Sequence, residues 1–441
     1  MNQTRTTESG TSVEKQSASR DVLVVGGGIS GIEAALNLAY LGCETTLVDQ
    51  GESLAENAAE LLALQGSAED PFRFTESRIT AARRNPRIHV QLGARVVGVK
   101  GNVGNFRVRI DSAGEVGERD FGAIVVATGL EFGAALARTD FPQKVMTHLE
   151  LEKGLTDLRA RGMPRAKTPL RIPKNVCFIV EDSSESSAIH STSVLKHALA
   201  IRKLSRSNVF VCCQNVNVSG EGLERLYREA RSHGVVIFKF DDEKPRISTT
   251  DTGLAVTVRD NSASAPGEWN GLMQIGCDLL VLPERIMPRS NTVSLKNLLG
   301  VTVDSSNYFQ ENNIWLKPAA SNRKGIFFVG ACRGNFDFDD ILTEARSTAL
   351  HVYNLVRAGE LSVKVGRVAV DASKCALCLT CLRLCPHGAV EVAFDDATGS
   401  KAAKIIDIAC EACGICAAEC PAKAIQIVDE HNRANRLVVT G

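Results

Sequence analysis

The chain lacks net charge: 51 basic residues balance 51 acidic ones over 441 positions. That balance gives no case for a basic nucleic-acid footprint or a polybasic membrane-surface patch. Long hydrophobic runs are missing too. No apolar stretch reaches the roughly 20 residues that a bilayer span needs, and the first residues carry no signal-peptide pattern. The eight histidines show no metal-ligand spacing, and neither an H-E-x-x-H pair nor a Ser/His/Asp elbow occurs. No catalytic acid, base or nucleophile can therefore be named. What remains is an ordinary globular composition, 44% hydrophobic and 23% charged, with length enough for two to four domains.

Cysteine is abundant. Eight of the 14 fall in two copies of one pattern. Cys375, Cys378, Cys381 and Cys385, followed by Pro386, recur as Cys410, Cys413, Cys416 and Cys420, followed by Pro421. This C-x2-C-x2-C-x3-C-P run holds four-iron, four-sulfur cubanes. Three close thiolates reach three irons, but so short a loop cannot place a sulfur at the fourth corner. That ligand comes from the other run. The expected sets are Cys375, Cys378, Cys381 with Cys420, and Cys410, Cys413, Cys416 with Cys385. Structural zinc would show paired C-x2-C knuckles without the third cysteine and the x3-C-P ending, and disulfides suit small secreted domains. The other six (Cys43, Cys177, Cys212, Cys213, Cys277, Cys332) lie mostly in apolar contexts, which fits a reducing cytoplasm.

Glycine marks the other end. An apolar strand, Asp21 to Val25, runs into Gly26-Gly27-Gly28-Ile29-Ser30-Gly31, then a helix from Ile32 to Leu41, then a strand ending in Asp49. This is the complete G-x-G-x-x-G dinucleotide fingerprint in context. Gly26 makes the tight turn, Gly28 admits a pyrophosphate, Gly31 lets helix and strand pack closely, and Asp49 takes ribose hydroxyls. Helix N–H groups behind Ile29 and Ser30 complete the anion site. Two later segments favour FAD over NAD. A strand closes on Ala127-Thr128-Gly129, and a second, Gly325 to Val329, ends at Gly330-Ala331-Cys332 before a helix beginning near Asp340 and Ile341. A simple NAD dehydrogenase has no use for that return.

Between them, residues 141–290 read as a second Rossmann-like unit. Its first turn, Glu181-Asp182-Ser183-Ser184-Glu185-Ser186-Ser187, has no glycine and carries carboxylates, which block and repel a pyrophosphate. NAD(P)H binding there is not expected. The division is a polar disordered tail (1–19), an FAD domain in two parts (20–140 and 291–360) around the second unit, and a cluster domain (361–441). The fold class is α/β: a two-dinucleotide-domain, disulfide-reductase-like flavoprotein fused to a 2[4Fe-4S] ferredoxin-like α+β domain.

From about Arg20 onward the chain resembles the A-type subunits of heterodisulfide reductase. The resemblance rests on VVGGGISGIEAALNLA, the glycine-poor middle, Gly222 to Arg231, Asp278 to Leu282, GIFFVGAC and the double cysteine run. It implies an electron-transfer subunit that passes electrons between FAD and two cubanes inside a larger complex. The implied partners are heterodisulfide reductase B- and C-like subunits, or a hydrogenase- or dehydrogenase-type donor. It further implies a hetero-oligomer of the cytoplasm, free or peripheral to a membrane complex, without nucleic acid or a transmembrane segment. The sequence departs from the family after Asp49, where Gly51 to Ala58 replaces a cysteine-rich, G-G-R-containing stretch. Two other readings stand beside this one: a self-sufficient NAD(P)H:acceptor oxidoreductase, and a flavin-free iron–sulfur scaffold.

Overall fold

The computed structural model describes residues 5–6, 12–56, 71–133, 144–159, 171–180, 187–218, 222–241, 243–250, 253–260 and 271–428. The Glu181 to Ser186 turn, whose acidity speaks against NAD(P)H, lies outside them.

Continuous apolar runs build a five-stranded parallel sheet. Its order is Ile326–Phe328, Ala123–Val126, Val22–Val25, Thr45–Val48 and Ile88–Gln91. Side chains alternate between its faces. Val22 and Val24 meet the helices Ile29–Tyr40 and Phe338–Val356 through Ile32, Leu36, Ala345 and Val352. Leu23 and Val25 meet a three-stranded antiparallel meander (Ala94–Asn102, Asn105–Ser112, Glu115–Phe121) through Phe106, Val108 and Phe121. Both faces are covered, so the strands can be apolar throughout.

The plan repeats. A second parallel sheet runs Val145–Thr147, Leu279–Leu282, Asn175–Val180, Asn208–Cys213 and Val235–Lys239. Helices His148–Arg159, Ser187–Leu204 and Leu223–Ser232 accompany it. A meander of Arg246–Thr250, Gly253–Arg259 and Leu272–Cys277 covers the other face. Cys177, Cys212 and Cys213 are buried here. Between the two sheets, Leu130–Gly133 pairs antiparallel with Arg285–Pro288.

The sequence places residues 1–19 in a disordered tail. That is wrong for its later part: Ser12–Ser17 is a strand, paired antiparallel with Glu360–Val365. Polar composition misleads because this is an exposed ribbon, the middle strand of a small antiparallel sheet between Arg5–Thr6 and Glu360–Val365, stabilised by backbone hydrogen bonds rather than by apolar burial. Its long partner leads into the cysteine-bearing segment. There Val368–Val370 pairs with Ile425–Ile427, and Val390–Asp395 forms a hairpin with Ser400–Ile405. Short helices Thr380–Leu384 and Ile415–Ala418 each start inside a cysteine run.

Candidate functional site

The turn after the first strand is shaped by close backbone packing. A Cβ on Gly26 would lie 2.2 Å from the Ala127 carbonyl oxygen, and one on Gly31 1.8 Å from that of Gly26. A Cβ on Gly28 would meet nothing within 4 Å, because that residue faces a cavity of about 410 Å³. Gly28, Ile29 and Ser30 line one part of the wall, and Ala127, Thr128, Gly129, Ala331 and Ile341 another. Asp49 stands where this cavity meets a second one, walled in part by Val25, Val48, Val96 and Leu295. Its carboxylate accepts from the N–H groups of Gly27 and Gly51, the latter at 2.7 Å, which fixes its orientation. Thr128 and Arg289 also border both spaces.

The polar atoms of this cradle bear on whether it fits FAD. Among the described residues, Thr128 Oγ1 and, beside the second cavity, Asn291 Oδ1 are buried without a hydrogen-bond partner. Buried polar atoms seldom stay unpaired, so both await donors or acceptors from a ligand. An open glycine face, a fixed acid and a valine-lined compartment beyond it suit pyrophosphate, ribose and adenine in turn. The residues fit.

Three expected contacts sit elsewhere. Gly330 gives its N–H to the Glu344 carboxylate, and a Cβ there would lie 2.2 Å from Ser30 Oγ. It packs the returning loop instead of facing the cavity. Cys332 is buried, with its thiol 3.3 Å from the carbonyl oxygens of Val126 and Val329. Burial, with Glu344 nearby, pushes that thiol up to about 12. Asp340 is exposed in the first helical turn, its N–H donating to the Asp337 cap at 3.1 Å. Desolvation at the helix surface, with the neighbouring negative charges of Asp337 and Asp339, raises its carboxyl. Leu149, Lys153 and Arg289 also reach the wall. They come from distant segments, and no local motif announces them.

The eight run cysteines fall into two groups. Cys375, Cys378, Cys381 and Cys420 line one cavity; Cys385, Cys410, Cys413 and Cys416 line another. Each takes three thiols from one run and the fourth from the other. Both loops bend alike at the middle cysteine. Leu377 (φ 51°) and Leu379 (φ 61°) flank Cys378, and Ala412 (φ 53°) and Gly414 (φ 85°) flank Cys413, all left-handed. Such conformations cost about 1–3 kcal/mol each for residues with a side chain and persist where the surroundings enforce them. Backbone N–H groups point at sulfur: Ala389 at Cys385 (3.4 Å), Ala412 at Cys410 (3.3 Å) and Ala424 at Cys420 (3.3 Å). Burial and the adjacent thiols of Cys385, Cys410 and Cys413 push Cys416 up to about 11. A cationic centre would reverse that. Among the described residues no three His, Cys, Asp or Glu side chains close on a single-ion site.

A sequence profile of the family described as pyridine nucleotide-disulphide oxidoreductase matches residues 2–147. The solved structure of Lactococcus lactis thioredoxin reductase (FR conformation) superposes with a TM-score of 0.50 and 14% identity. It covers 77% of this chain and 99% of that one. The class follows: an oxidoreductase on the two-dinucleotide, Rossmann-like flavoprotein fold, which supports FAD.

Two curated relatives narrow it. One of the A-type iron-sulfur subunits of CoB–CoM heterodisulfide reductase from Methanopyrus kandleri is 24% identical over 465 residues, covering 85% of this chain and 70% of its own. Its counterpart from Methanocaldococcus jannaschii is 24% identical over 482 residues, covering 88% and 72%. The resemblance to heterodisulfide reductase read from the motifs is borne out along most of the chain. No helix among the described residues is long and apolar enough to cross a membrane.

Proposed function

We propose that the chain is the electron-transfer subunit of a heterodisulfide reductase-like complex, carrying one FAD and two [4Fe-4S] clusters in a ferredoxin-like C-terminal domain. The observation that carries this is the exchange of the fourth cysteine: Cys420 joins the first run's cavity and Cys385 the second's. Two independent zinc knuckles would not need it. Bound flavin accepts two electrons and releases them singly, whereas each cubane carries one, so the pair converts two-electron into one-electron flow. The chain's own residues hold and orient. Gly28, Ile29 and Ser30 take the pyrophosphate, Asp49 the ribose, and Ala127 to Gly129 with Ala331 and Ile341 border the flavin end. The cysteine loops turn their thiolates inward and aim N–H groups at three sulfurs, which stabilises the reduced, more negative cluster.

Electrons enter and leave through other proteins of the complex, in line with the names of the relatives. The acidic, glycine-free Glu181 to Ser186 turn argues against direct NAD(P)H oxidation. The test is anaerobic: NADH or NADPH is added to the flavin-loaded protein and flavin absorbance is followed. No bleaching, with prompt reduction by a low-potential one-electron donor, is expected. Fast bleaching by either nucleotide would replace this reading with a self-sufficient NAD(P)H oxidoreductase.

A further inference from the structure

The two cysteine runs repeat position for position, so each residue around one cavity has a twin around the other. The backbones match and the side chains do not. Leu377, Leu379 and Leu382 stand where the second run has Ala412, Gly414 and Ala417, and Arg383 stands where it has Ala418. The three leucines line the first cavity with Val392, yet each of the four is 38–39% exposed. Phe394, one alternation beyond Val392 on the same face of the hairpin, is 63% exposed. Leu377 and Leu379 hold left-handed backbone, the latter where its twin is glycine. Large apolar side chains kept in that conformation and in water point to a role outside the fold.

The second cavity's flank is already taken. Glu411 pairs with Lys317 and Lys324, and Pro386 and His387 hold Asn322. The twins of Glu411 and Pro386 are Ala376 and Pro421, and both are exposed. Around this free side the charge is positive. Arg383 donates to the Cys378 carbonyl at 2.8 Å, Lys401 lies directly across the hairpin from Phe394, and Lys423 follows Ala422 of the cavity wall. None of the three pairs with a carboxylate among the described residues, whereas Lys374 is matched by Asp371 and Lys404 by Glu391. The hairpin's own acids, Asp395 and Asp396, sit at its turn, where Asp395 accepts from the Thr398 N–H at 2.8 Å.

We propose that Leu377, Leu379, Leu382, Val392 and Phe394, rimmed by Arg383, Lys401 and Lys423, are the docking face for an acidic electron-carrier protein. This rests on the reading of the chain as an electron-transfer subunit, and gives that subunit's partner a place and a charge. Apolar contacts at the centre supply affinity, and the basic rim supplies orientation and on-rate. The exposed Cys378 lies within the face, so a partner seated there meets the first cysteine set directly.

The experiment uses the full, cluster-loaded chain, oxidised and anaerobic, so that binding is read without electron transfer. The probe is a plant-type two-iron ferredoxin, a small acidic carrier; basic mitochondrial cytochrome c is the opposite-charge control. Calorimetry should show ferredoxin binding that weakens as salt rises, and no binding of cytochrome c. Hydrogen exchange should slow on binding in residues 376–384 and 392–394. Lys401→Glu combined with Lys423→Glu, and separately Leu382→Asp, should weaken binding about tenfold or more with both cluster signals intact. Trp315→Ala, in the exposed apolar turn 314–316, should bind as wild type does. Wild-type affinity in either weakened variant, protection at 314–316 instead, or no ferredoxin binding would overturn the proposal. Binding to phosphatidylserine-containing vesicles in place of ferredoxin would overturn it too and assign the face to lipid. Protection of the same residues by a rising concentration of the chain itself would assign it to a second copy. A chain that assembles no clusters would instead overturn the electron-transfer reading, and with it the reason for a redox partner.

Discussion

At the scale of single residues, two glycines of one turn separate fold from ligand. Gly31 has no room for a Cβ, which would sit 1.8 Å from the Gly26 carbonyl oxygen. Gly31→Ala should therefore destabilise the flavin-free protein by about 1–3 kcal/mol, as overpacking does. Gly28 faces open cavity. Gly28→Ala should leave the flavin-free melting temperature almost unchanged, yet weaken FAD on the order of tenfold or more, because its methyl group enters the space for the pyrophosphate. Thermal melts and flavin titrations of both variants check this, and a Gly28→Ala protein that binds FAD normally would remove the cradle from the account. Much of this is legible in sequence, since the strand, the glycines and Asp49 are close together in the chain. Gly330, Cys332 and Asp340 are not. A strand ending in glycine announces a return to the cavity, but which atoms then face it depends on Glu344, Ser30 and Asp337, and none of these contacts belongs to a motif.

At the scale of elements, the pairing of helices His148–Arg159 and Ser187–Leu204 buries His148, His190 and His197. Desolvation lowers His190 from 6.5 to about 4, and it lowers the other two in the same direction. Here the folded value is below the unfolded one. The contribution to stability is complete above pH 6.5 and is lost as pH falls towards 4, where the unfolded chain binds a proton that the folded chain refuses. His190 alone should account for about 3 kcal/mol across that window. Urea denaturation followed between neutral pH and the folded value of His190 measures it, and His190→Gln should flatten the slope. Nothing in the sequence announces this cluster, because His148 and His197 stand 49 residues apart and meet only through helix packing. The strand Ser12–Ser17 is hidden for a related reason: its long partner, Glu360–Val365, is far along the chain and its own composition is polar.

At the scale of the molecule, the cysteine segment is tied to the first sheet through one loop. The Asn322 side chain donates to the Pro386 carbonyl, and its backbone carbonyl accepts from His387 Nδ1 at 2.6 Å. Lys324 reaches the Cys410 carbonyl at 3.2 Å, and Lys317 pairs with Glu411 at 3.1 Å. That loop leads directly into the strand Ile326–Phe328, so the proposed clusters and flavin share one support. The crossed ligand sets make a prediction at this scale. Cys420→Ser should disturb the centre built on Cys375, Cys378 and Cys381 and leave the other intact, although Cys420 lies in the second run. Electron paramagnetic resonance of the reduced variant reads which signal changes; loss of the centre on Cys410, Cys413 and Cys416 instead would mean the fourth ligands are not exchanged.

The central claim is that one chain holds a two-electron and two one-electron carriers together. Anaerobic reductive titration of the fully loaded protein counts them. The account predicts an endpoint of about four electrons per chain, two bleaching the flavin and one for each cubane. An endpoint of about two electrons, with either the flavin or the iron–sulfur absorbance unchanged, would contradict it.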